Sequence, residues 1–195
     1  MHLAFADELG GQLIARFYDA TAGGFWQSVA TADDLILRLK DDYDGAEPSG
    51  NSMATRALLT LAAITGRADF EAPAARTLAL FAGQMMHMPR AMTSLWQAAD
   101  FLLMPTLRIV IAGDPQSAAA RELLAAAHDI YHPHCVVSGV SGEVDDFTRS
   151  LTPVAGRATA YLCTGNACQP PTQDAMTLKQ MLISFVTDGL APPQP

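Results

Sequence analysis

The chain has 195 residues, 50% of them hydrophobic and 16% charged, which excludes disorder and leaves room for one domain or slightly more at ~150 residues each. With 12 basic against 20 acidic residues and a net charge of −8, it lacks the positive field that neutralises phosphates, so nucleic acid and anionic membrane surfaces are excluded as partners. No uninterrupted apolar run reaches the ~18 residues of a membrane-spanning helix, and Asp7 and Glu8 stand where a secretion signal would be positive, so a cytoplasmic protein is expected.

Leu3, Leu9, Leu13, Ile14 and Phe17 form a helical stripe, interrupted by Gly10-Gly11. Asp19–Gly24 reads as a turn, Phe25–Val29 as a short strand-like stretch, and Leu35–Leu39 as a brief apolar segment. Asp41–Asn51, with three aspartates, a Glu, a Pro and two Gly, is a loop that ends in helix-start chemistry. There Asn51 or Ser52 is the expected N-cap. Leu58–Ile64 predicts an apolar helix stopped by Gly66. Asp69–His87 predicts a second, with Pro73 in its first turn, and Ala91–Leu103 a third, stopped by Pro105. Short links between these helices favour antiparallel hairpins.

The pattern changes at Thr106. Leu107–Ala112 reads as a buried strand, Gly113-Asp114-Pro115 as a turn with Asp114 capping a helix over 116–130, and Cys135–Val137 as a second strand. That order is a βαβ unit. Residues 138–156 read as loop, Ala158–Cys163 as a third strand, and Asp174–Val186 as a final helix capped by Gly189. The fold class is therefore mainly α with a small α/β element. The expected division is a helical segment over 1–105, an α/β element over 106–190 packed on it, and a frayed tail over 191–195.

The stretch from Asp41 to Ser52 holds the densest chemistry. Carboxylates, a hydroxyl, an amide and two glycines precede a helix N-terminus, where free N–H groups wait. Asp44 and Glu47 are the acid–base candidates, because glycosidic chemistry needs two carboxyl groups at a set separation. The competing reading is a rigid loop whose side chains cap backbone groups. Phe25 and Trp26, after a Gly turn, offer a stacking face or fill the core. Gly113-Asp114-Pro115 lacks the repeated glycines of a nucleotide loop. His132, His134 and Cys135 approach metal-ligand spacing, but Pro133 intervenes and Cys135 opens a strand, so no metal and no cofactor is expected. Met85, Met86, Met88 and Met92 read as core filler, and Glu143, Asp145 and Asp146 as a solvated loop. An odd cysteine count without a secretion signal implies free thiols. Cys163 and Cys168 are then a redox pair or two small residues in and beside a strand.

Several of these residues together resemble a known family. Gly23-Gly24-Phe25, the run Asp44-Gly45-Ala46-Glu47-Pro48-Ser49-Gly50-Asn51-Ser52, the Leu107–Gly113 strand, and Ala160-Tyr161-Leu162-Cys163 followed by Cys168 and Pro171 are similar to the C-terminal part of the large thioredoxin-domain-containing proteins. That family includes bacterial YyaL and spermatogenesis-associated protein 20. The resemblance covers almost the whole chain and implies an N-terminal thioredoxin-like domain, absent here, followed by an (α/α)6 toroid similar to six-hairpin glycosidases. This chain would then carry the last toroid hairpins and the small α/β unit. The resemblance implies a carbohydrate-type groove at the Asp44–Ser52 loop, with Ser49, Asn51, Ser52, Phe25 and Trp26 binding ligand and no complete activity in this chain alone. The alternative is a scaffold for a redox partner. An arc of hairpins without its neighbours exposes an apolar face, so a second polypeptide or self-association is expected to cover it.

Overall fold

A computed structural model describes residues 2–30 and 36–189, and the chain divides into two compact units, Met1–Met104 and Pro105–Pro195. The tail over 191–195 and the start of the Leu35–Leu39 segment lie outside the described residues. The protein is mainly α with a small α/β element. Among the described residues, no helix is long and apolar enough to cross a membrane.

The first unit contains α1 (His2–Phe17), α2 (Gly50–Thr65), α3 (Ala68–His87) and α4 (Thr93–Leu103), with a 3-10 turn at Pro89–Ala91. The stripe Leu58, Leu59, Leu61, Ala62 faces Phe70, Ala74, Leu78 and Phe81 of α3 and Leu95, Ala98 and Phe101 of α4, all of them buried. Gly66 ends α2 in the left-handed region (φ 71°) and donates its N–H to the Ala62 carbonyl at 2.8 Å. Helix α3 starts at Ala68, so Pro73 falls in its second turn. Helix α4 starts two residues later than expected because Pro89–Ala91 closes as a 3-10 turn. Met85 and Met92 are core, whereas Met86 and Met88 are exposed.

The expected strand at Phe25–Val29 reduces to one bridge between Tyr18 and Phe25, closing the Asp19–Gly24 turn. Gly10 does not break α1. A Cβ there would meet Leu61 Cδ1 at 3.0 Å and the Phe70 ring at 3.1 Å, so glycine is what lets α1 approach α2 and α3.

The second unit is a four-stranded sheet in the order β2-β1-β3-β4, built from β1 (Leu107–Ala112), β2 (Cys135–Gly139), β3 (Thr159–Thr164) and β4 (Ala167–Cys168). β1 is parallel to β2, across the helix α5 (Ala118–His128), and antiparallel to β3; the β3–β4 pair is antiparallel. Alternation along β1 turns Leu107, Ile109 and Ile111 toward a core shared with Leu123 and Ala127 of α5 and Leu178 and Leu182 of α7 (Ala175–Gly189). Helix α7 is described as far as Gly189, the residue expected to cap it.

Two expectations in this unit need correcting. Ser117, not Asp114, caps α5 by accepting from the Ala120 N–H (3.1 Å), because Asp114 is spent on the preceding turn, accepting from the Gln116 N–H at 2.9 Å. The 138–156 loop contains a short helix, α6 (Asp146–Ser150), whose N-cap Asp145 accepts from the Thr148 N–H at 2.7 Å. Val144 and Thr148 of this segment are buried, and Phe147 lies against Arg108, on the sheet face opposite the α5–α7 core.

Candidate functional site

The loop before α2 brings most of the sequence-selected residues into one place. Ser49 is the N-cap of α2: its backbone is extended (φ −63°, ψ 154°) and its Oγ accepts from the Ser52 N–H at 3.1 Å. Asn51, expected as a cap, instead turns sideways. Its carboxamide oxygen accepts from the Phe25 N–H at 2.6 Å, and its Nδ2 donates to the Phe25 carbonyl (3.0 Å) and the Asp41 carbonyl (2.8 Å). The side chain thus pairs with Phe25 as a strand residue would.

Asp44 joins a third element. Its carboxylate accepts from the backbone N–H of Ser49 at 2.8 Å, of Ser94 at 2.7 Å and of Leu95 at 3.4 Å, and it also takes the Ser52 hydroxyl. Burial alone would raise its pKa, but these donors outweigh burial and hold the carboxyl below its ordinary range. Asp44 is therefore an ionised cap for the first turn of α4, a service Met92 at the N-cap position cannot provide.

Consequently this cluster is internally committed. Ser49 and Ser52 are buried and hydrogen-bonded to each other, Ser49 Oγ donating to Ser52 Oγ at 2.9 Å. Phe25 is buried with the core. Trp26 is half-buried, with the guanidinium of Arg38 and the ammonium of Lys40 at 4.8 and 4.4 Å from its ring centroid. Lys40 also bridges Asp19 (2.8 Å) and the Gly23 carbonyl (2.6 Å), and that hydrogen bond draws the Asp19 pKa down to about 2. Glu47 sits apart, exposed to solvent.

A concave surface of this unit lies elsewhere, between α1 and α2. A cavity of about 660 Å³ is lined by Ala6, Leu9, Leu13, Phe17, Leu58 and Leu61. Only Gly10 of the sixteen residues of α1 is buried, and Phe5 and Leu9 are 60% and 47% exposed. The apolar stripe read from the sequence is only partly covered: Leu3, Leu13, Ile14 and Phe17 are half-buried and Leu9 is exposed.

In the second unit the expectation of free thiols fails at one pair. Cys163 and Cys168 face each other across β3 and β4 and are joined by a disulfide. Cys135 is the remaining free cysteine, and burial pushes its thiol up to about 11. The ring of His132 rests on His134 and Phe185, and burial, then the neighbouring His134, lowers its pKa. Among the described residues, no group of three or more His, Cys, Asp or Glu gathers to hold a metal. Asp145, read as solvated, is instead ion-paired with the buried Arg108, a pairing whose only trace in the sequence is an arginine inside a β-branched run.

These features define a helical unit with a partly exposed first helix and a small mixed-sheet unit carrying a disulfide. Over 174 residues the chain is 36% identical to spermatogenesis-associated protein 20 of Rattus norvegicus and of Mus musculus, and 33% identical to that of Homo sapiens. That similar stretch is 85% of this chain. The chain spans 22% of the length of the relatives it matches. No family model matches the chain.

Proposed function

We propose that this chain acts as an interaction segment of a larger spermatogenesis-associated protein 20-like protein, taking an apolar helix into the groove between α1 and α2. The observation that carries this reading is α1 itself, a stripe of Leu3, Leu9, Leu13 and Phe17 with one buried residue in sixteen. An apolar face of this extent lowers its free energy by roughly 25 cal/mol for each Å² a partner removes from water. The natural occupant is a helix from the four-fifths of the relatives' length that this chain does not span. On this reading α1–α4 are the closing hairpins of an (α/α) toroid, and the groove is where the preceding hairpin packs.

A carbohydrate-type groove at the Asp44–Ser52 loop has weaker support. Asp44, Ser49, Asn51 and Ser52 spend their hydrogen-bonding capacity on one another and on three backbone segments, leaving Glu47 as the one exposed carboxylate among the acid–base candidates. Two acids at a set separation are needed for that chemistry, and this loop offers one.

The test is capture. Rat spermatogenesis-associated protein 20 lacking the stretch that matches this chain is co-expressed with the chain, and co-purification is measured. Leu13→Glu is expected to abolish co-purification while leaving the thermal midpoint within a few degrees. Equal recovery of wild type and Leu13→Glu would overturn the assignment of the groove.

A further inference from the structure

We propose that the β3–β4 hairpin is a thiol–disulfide exchange site, with Cys168 as the sulfur attacked and a dithiol as the co-reactant. This goes beyond the docking reading and does not depend on it. Val136, Arg108, Cys163 and Cys168 form one cross-strand row through all four strands. Directly paired residues project to the same face of a sheet, so the Arg108 guanidinium and both sulfurs lie on the face opposite the α5–α7 core.

The two sulfurs differ in access. Cys163 is 0% exposed, whereas Cys168 is exposed at the sheet edge. Cys168 also lines an open concavity of about 490 Å³ with Phe147, Leu151, Tyr161, Gln169 and Pro170. Rings and a proline give a floor on which a thiol-bearing segment can lie. Arg108 holds the hairpin from the neighbouring strand, on the same face: its Nη2 donates to the Gly165 carbonyl in the turn at 2.7 Å, and Asp145 fixes the guanidinium by ion pairing. The turn therefore stays anchored when the bond between the sulfurs opens, and the two thiols remain placed to close again.

A thiolate of the dithiol attacks Cys168 Sγ and forms a mixed disulfide, while the Cys163–Cys168 bond breaks and its electron pair leaves on Cys163 Sγ, beside the Arg108 charge. The second thiolate of the dithiol then attacks its own sulfur in the mixed disulfide, and Cys168 departs as a thiolate. Two electrons pass from the dithiol, which becomes a disulfide, to the cysteine pair. The two protons lost by the dithiol end on Cys163 and Cys168.

The experiment uses the full chain in a Cys135→Ser background. Oxidised glutathione is the probe, and intact mass reports the adduct. With Cys163→Ser, the remaining Cys168 thiol is expected to form the glutathione adduct at least ~10-fold faster than Cys163 does in the Cys168→Ser chain under native conditions. In the chain with both cysteines, an oxidising glutathione buffer is expected to yield the internal disulfide without a stable adduct, and dithiothreitol to reduce it without loss of near-ultraviolet circular dichroism. Equal adduct rates for the two single-cysteine chains overturn the assignment of Cys168. Two free thiols in the oxidising buffer, or unfolding on reduction, overturn the exchange site itself.

Discussion

At the scale of single residues, the chain assigns jobs that composition hides. Gly10 and Gly11 look alike in sequence and differ entirely in place. A Cβ on Gly10 meets Leu61 and the fully buried Phe70, whereas a Cβ on Gly11 meets nothing within 4 Å. Gly11→Ala is therefore expected to stabilise the protein by up to about 1 kcal/mol, the helix advantage of alanine. Gly10→Ala is expected to lose that gain to overpacking and to lower the thermal midpoint. Calorimetry on the two variants checks the contrast. Asp44 is the second case. Its folded pKa lies below its unfolded value near ~3.9, so the stability it contributes is fully present above that value and is lost as pH falls through the depressed one. Asp44→Asn is expected to cost about 0.5–2 kcal/mol at neutral pH through the weakened cap, and to flatten the acid limb of the stability curve. A variant as stable as wild type from pH 3 to 7 would remove the capping role.

Elements were legible where one periodicity rules, and obscure where a distant contact decides. The stripe Leu58–Ile64 and the β-branched run Leu107–Ala112 announce α2 and β1 because burial of one face, or of both, dictates the residue types. Asn51 could not be read as a clamp, since its partner Phe25 lies 26 positions away and only the folded loop brings them together. The loop expected over 138–156 hides α6 because its five residues, Asp146–Ser150, carry too little pattern, and the Asp145 cap three positions before Thr148 is the one available signal. The strand β4 has two residues, and Gly165-Asn166, a two-residue hairpin turn, was its mark. At this scale the Arg108–Asp145 pair makes a prediction. Asp145→Ala leaves a buried guanidinium without its counter-ion and is expected to cost about 3–5 kcal/mol. The double variant Arg108→Met with Asp145→Leu, which removes both charges, is expected to recover much of that loss in urea unfolding. Equal losses in the single and double variants would show that packing, not charge, governs the site.

For the whole molecule, the two units divide the labour. The α/β unit closes its own core between one sheet face and α5 and α7, with the 140–157 segment over the opposite face. In the helical unit α2, α3 and α4 bury one another, while α1 buries Gly10, half-buries Leu3, Leu13, Ile14 and Phe17, and leaves Phe5 and Leu9 exposed. Length alone allowed a complete domain, and composition alone raised no objection. The relatives' length and the partly exposed face of α1 together make the chain part of a larger assembly on the reading proposed here. The loop before α2, the strongest functional candidate in the sequence, is the knot that ties Phe25, Asp41 and α4 to the start of α2. Its residue types suited a sugar site because polar side chains that recognise hydroxyls also satisfy backbone groups, and only geometry separates the two uses. The most direct measurement is amide hydrogen exchange across α1, in the chain alone and with the remaining region of rat spermatogenesis-associated protein 20 added. The account predicts fast exchange of α1 relative to α2 in the chain alone, and strong slowing of α1 on addition. Exchange of α1 already as slow as that of α2, and unchanged by the added region, would contradict it.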